Sequence, residues 1–161
     1  MFRHILPKAF GIGLGSGSVS DIEHGNFGDP FQILTKNIAT SPVTEGVGSV
    51  QLFAHSPMML PDPKRNPDLP GYALPAVKTP KGAVVCATLE WGKGRVFLTA
   101  DAMMFQPFRI EHADNAALLQ NVMGWLFGKP TTEADRMKFK ENLFLTEETL
   151  RRMADEEKSW R

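Results

Sequence analysis

Three features of this sequence could carry chemistry: a single thiol, a carboxylate–imidazole pair and a turn-rich acidic loop. The thiol is Cys86, the one cysteine in 161 residues. A nucleophilic thiol needs exposure and a neighbour that lowers its pKa. Cys86 sits between Val85 and Ala87 in a β-rich run with no elbow glycines around it, so it reads as a core thiol. The pair is Asp101 and His112. Asp101 stands just past the end of an expected strand, where α/β sheets place ligand crevices, and His112 lies on the loop that follows. A carboxylate can orient an imidazole for proton transfer, but that chemistry needs a nucleophile or a metal beside it. The structural alternative is that Asp101 binds backbone amides of its own loop and His112 is a surface residue.

The acidic loop holds Asp21, Glu23, His24 and Asp29, a set that could hold a cation but reads first as solvated loop charge. The other histidines, His4, His55 and His112, are dispersed, and a zinc site needs three converging ligands. Gly11, Gly13, Gly15 and Gly17 fail the dinucleotide-binding spacing, because Ser16 and Ser18 stand where its third glycine would be. No cofactor and no metal are therefore expected.

The charge balance narrows the partners. Eighteen Lys and Arg offset 18 Asp and Glu, which argues against a nucleic-acid platform or a polybasic membrane anchor. The first residues lack the apolar run of a signal peptide, and Gly, Pro or charge breaks every run before it could span a bilayer. The expected location is cytoplasmic.

Positioning elements can be read along the chain. Phe10–Gly17 alternates apolar residues with glycine, which predicts an extended segment close to another backbone. Residues 21–30 are dense in turn formers and read as a loop. Ser41-Pro-Val-Thr-Glu-Gly-Val predicts a short helical turn feeding a strand over 49–54. Between Pro57 and Pro80 lie seven of the twelve prolines, so this stretch predicts a surface excursion with an edge strand near Tyr72–Val77. Ala83–Trp91 and Arg95–Ala100 around Gly92-Lys-Gly predict a hairpin. Asp114 or Asn115 would cap a helix that runs to Phe127 and stops at Gly128 and Pro130. Its Leu118, Leu119, Val122 and Leu126 should press on the sheet. Met58-Met-Leu and Met103-Met-Phe are apolar clusters beside loops, readable as core or as interface. Residues 131–161 are rich in charge and read as an appended helical tail, which makes 1–130 the domain.

Trp91-Gly-Lys-Gly-Arg-Val-Phe-Leu-Thr-Ala-Asp101 followed by Asp114-Asn-Ala-Ala-Leu-Leu-Gln-Asn-Val-Met-Gly-Trp-Leu resembles the class I glutamine amidotransferase-like superfamily, more narrowly its trehalose-utilisation-like relatives. Ser41-Pro-Val-Thr-Glu-Gly-Val is similar to a His-Pro-Ile/Val-Thr-x-Gly-Val element of theirs, with Ser41 in place of the histidine, and Phe10-Gly-Ile is similar to a preceding segment. The resemblance covers roughly residues 8–128 and only the family's second half. It implies an α/β, truncated flavodoxin-like fold: a mixed sheet of four or five strands with a packed helix. The family's helix cap neighbours its pocket, which adds Asn115 to Asp101 and His112 as ligand-binding candidates. The nucleophile elbow belongs to the half not represented. Three functions follow as expectations. The first is a non-catalytic amidotransferase-like domain acting by association, as a homo-oligomer or as one subunit with a partner chain. The second is a hydrolase or lyase on small amide or sugar substrates, with a site completed by a partner. The third is a small-ligand or carbohydrate-binding module.

Overall fold

The computed structural model describes residues 10–53, 55–69 and 71–128; the expected tail and His4 lie outside them. The strands are β1 (Gly13–Leu14), β2 (Gly25–Asn26), β3 (Asp29–Thr35), β4 (Val50–Phe53), β5 (Met58–Met59), β6 (Leu74–Lys78), β7 (Val84–Trp91) and β8 (Gly94–Thr99), followed by one α-helix, α1 (Asn115–Leu126). The fold is α/β. A five-stranded sheet runs β1-β5-β7-β6 with β8 also paired to β7, and a separate three-stranded sheet runs β2-β3-β4. The named strands pair antiparallel throughout.

The hairpin forms as its residues dictate. Gly92-Lys93 is a two-residue turn closed by Trp91 opposite Gly94, and Gly92 adopts φ +58°. Positive φ at the first loop position matches the right-handed strand twist and suits glycine. Upstream, Gly13 and Gly15 let β1 lie on the 57–59 segment, since a Cβ at Gly15 would come within 2.5 Å of the Pro57 ring.

β7 is the centre of the molecule. Cys86 faces a core shared with Ile33, Val50, Leu52, Val77, Met104 and Leu118. Ala87 and Leu89 face a second core with Ile12, Met58 and Ala73. Burial on both faces accounts for the apolar run Val84–Ala87 in its sequence.

Three expectations change. The stretch 21–30 read as loop is mostly turn but holds the two-residue β2, and its last two residues, Asp29-Pro30, open β3, whose Ile33 and Thr35 are fully buried. β6 contains Pro75 and is flanked by β7 on one side and an Ile38–Val77 bridge on the other. A register shift beside Pro75 accommodates its missing N–H. In α1, Leu118 and Val122 are buried but Leu126 is 38% exposed. The inward face is completed instead by Asn115 and Asn121; Asn121 Nδ2 donates to the Glu45 carbonyl at 2.7 Å and that of Val43 at 3.3 Å. The helix thereby holds the 3-10 turn Pro42–Thr44, whose Ser41 N–H donates to Thr44 Oγ1 at 2.9 Å.

Candidate functional site

The sequence candidates gather along β4. One edge of this short strand pairs with β3. Its other edge meets three side chains. Asp114 Oδ2 accepts from the amides of Gly48 at 2.9 Å and Ser49 at 3.0 Å, and the Asp114 N–H donates to the Ser49 carbonyl. Asn115 Oδ1 accepts from the Gln51 amide at 3.0 Å while its Nδ2 donates to the Gln51 carbonyl at 2.9 Å. Asp101 Oδ2 accepts from the Phe53 amide. The donors at 49, 51 and 53 are those a further strand would have taken, so three polar side chains close this sheet edge in its place.

Asp101 does more at the same point. Its Oδ1 accepts from Met103 at 3.0 Å and Met104 at 3.2 Å, pinning the 3-10 turn Met103–Phe105. It is 2% exposed. Burial pushes its carboxyl above the usual range, against the pull of the Phe53, Met103 and Met104 amides and the Arg109 charge. Asn115 Nδ2 also reaches the Met104 carbonyl at 3.2 Å. The two residues thus converge on one strand and one turn. Neither Asp114 nor Asn115 caps α1: Asp114 stands at the N-cap position without a side-chain bond to the helix, because both side chains are engaged across to β4.

His112 lies off this clasp. Its ring is edge-on to Phe53 at 5.6 Å and to Phe27 at 5.8 Å, while Arg109 lies over the Phe53 ring at 4.7 Å. Phe53 therefore joins Asp101, through its amide, to His112 and Arg109, through its ring. Sequence reasoning missed Arg109, Phe27 and Phe53; the one available signal was Phe27-Gly28, a residue pair poorly suited to the tight turn it makes.

Cys86 is fully buried, and burial pushes its thiol up to about 12. At neutral pH it is a core thiol without nucleophilic character. Asp21, Glu23 and His24 do come together, with ligand atoms within 4.8 Å of one another. The Lys81 ammonium already lies 2.9 Å from Asp21 and 3.6 Å from Glu23. Its hydrogen bond, with help from His24, holds the Asp21 carboxyl down to about 2. Asp29 turns away to the Phe31 amide and the Gln32 side chain. The loop is an ion-paired corner, and a cation there would have to displace Lys81.

The two methionine clusters divide. Met58 and Met104 are buried in the two cores, while Met59 is 59% exposed. A surface groove of about 500 Å³ lies between Lys36 and Gly48, floored by the Ser41–Thr44 turn. Thr44 Oγ1 in that turn is fully engaged, donating to the Ala39 carbonyl at 2.6 Å. No described helix is long and apolar enough to cross a membrane. The chain matches no protein-family model and no curated protein.

Proposed function

We propose that this chain is a non-catalytic, amidotransferase-like domain that acts by association, as a homo-oligomer or as one subunit of a larger assembly. The observation that carries the reading is the edge of the larger sheet. Among the described residues β8 pairs with β7 alone, and its six residues, Gly-Arg-Val-Phe-Leu-Thr, include one charge. A long apolar strand edge in water recruits another strand unless charge, proline or a cover blocks it. Exposed Leu74, Phe108 and Met59, each more than half accessible, add apolar area of the kind that marks contact surfaces. Two side chains with catalytic potential are committed to the fold, which supports the same reading: Cys86 is sealed in the core, and Asp101 is engaged by three backbone amides. Hydrolase or lyase chemistry would require Asp101 to leave those amides.

Light scattering on the purified chain tests this. The expected result is a dimer or larger species at micromolar concentration, burying well over about 1,000 Å². A monomer that stays monomeric at high micromolar concentration, alone and in the presence of cell extract, overturns it.

A further inference from the structure

The cluster around Phe53 carries an inference that goes beyond association. In the described residues only two non-glycine positions have positive φ, Phe27 at +56° and Ala113 at +51°. Both adjoin His112: Phe27 packs against its ring and Ala113 follows it in the chain. Phe27 and Gly28 form the two-residue turn between β2 and β3, with both φ angles positive. Asn or Gly occupies the first position of such a turn without strain; phenylalanine does not. The phenyl ring gains little packing in return, because Phe27 is 72% exposed. Strain of this kind persists where the residue is needed for something other than the fold.

His112 touches both the Phe27 and the Phe53 rings, and Arg109 lies over Phe53 from the same loop. Arg109 is half-buried with its guanidinium over the Phe53 ring, and the guanidinium's one hydrogen bond among the described residues is a weak one to Met103 Sδ at 3.4 Å. No carboxylate of the described residues lies within ion-pair distance of it. A guanidinium held over an aromatic face keeps its planar fork of N–H donors free at its edge, and that fork matches a carboxylate. The His112 ring is held by its edge-on contacts to Phe27 and Phe53, and its nitrogens have no hydrogen-bond partner among the described residues. An exposed aromatic face, a preoriented guanidinium and an imidazole with free polar atoms, held on one strand end, are complementary to a flat anion.

We propose that Phe27, His112 and Arg109 form a binding site for a small aromatic carboxylate, the carboxylate on Arg109 and His112 and the ring on Phe27. Arg109 supplies the charge-assisted hydrogen bonds, and Phe27 supplies ring stacking. The site does not depend on the oligomeric state, so its failure and that of the association reading are separable. The test is a titration of the full chain with benzoate and with 3-phenylpropionate, followed by two-dimensional NMR. Their neutral amides and acetate serve as controls. Saturable shifts at His112, Phe27 and Arg109 are expected for at least one aromatic acid, with the matching amide and acetate each weaker by at least about tenfold. Arg109→Gln should weaken binding by a similar factor. Phe27→Gly should abolish it without lowering the melting temperature, since glycine relaxes that turn. Absence of saturable shifts up to about 20 mM, equal binding of acid and amide, or a Phe27→Gly variant that binds as well as the parent would overturn the proposal.

Discussion

Two edge strands of the described sheets, β4 and β8, are treated in opposite ways. The edge of β4 is closed by Asp114, Asn115 and Asp101, which take its amides at 48, 49, 51 and 53. The outer edge of β8 has no such partners among the described residues. Closing an edge with carboxylates requires burying charge, and several N–H donors converging on one carboxylate offset that cost. At Asp101 three amides converge. Among the described residues nothing comparable faces β8, where Arg95 instead lies over Trp125 and donates to its carbonyl. The contrast separates an edge completed by side chains of the same chain from one that, on the proposed reading, a partner would cover.

Breaking the clasp should give the largest effects. Asp101→Ala removes one acceptor group from three buried amides and is expected to cost about 3–4 kcal/mol in chemical denaturation. Asn115→Ala releases a bidentate pairing and should cost about 2 kcal/mol. A loss under about 1 kcal/mol for Asp101→Ala would mean that β4 does not need its side-chain edge.

These dependencies explain what was legible in the sequence. The hairpin, the helix, the core position of Cys86 and the glycine approach of β1 were readable because each depends on local pattern: period, turn glycines, a continuous apolar run. The clasp was not. Asp114 and Asn115 signal a helix cap by residue type, and only the return of β4, more than sixty positions earlier in the chain, redirects them. Asp101 was legible as a residue at a strand end; its engagement with the Phe53 amide depends on a strand 48 positions away. β3 was hidden by Asp29-Pro30, turn formers that here open a strand.

A smaller effect is expected just beyond β4. His55 is fully buried, and neither ring nitrogen has a hydrogen-bond partner among the described residues. Burial lowers its pKa below 6.5. The unfolded chain therefore binds a proton that the folded chain does not once pH falls below about 6.5, so stability should decline from there toward lower pH and be level above it. Replacing the ring nitrogens by carbon in His55→Phe should raise stability by about 1 kcal/mol at neutral pH and flatten this slope. A variant with the parent's pH dependence between 5 and 7 would show that His55 is not the group responsible.

The most direct test of the contrast between the two edges is amide hydrogen exchange measured across a wide range of protein concentration. In an antiparallel pair every second amide of β8 points away from β7, and association through this edge would cover those amides. They should be protected at high concentration and exchange rapidly on dilution, while Ser49, Gln51 and Phe53, held by side chains of the same chain, stay protected throughout. Outward β8 amides that exchange at one rate at every concentration would contradict the account.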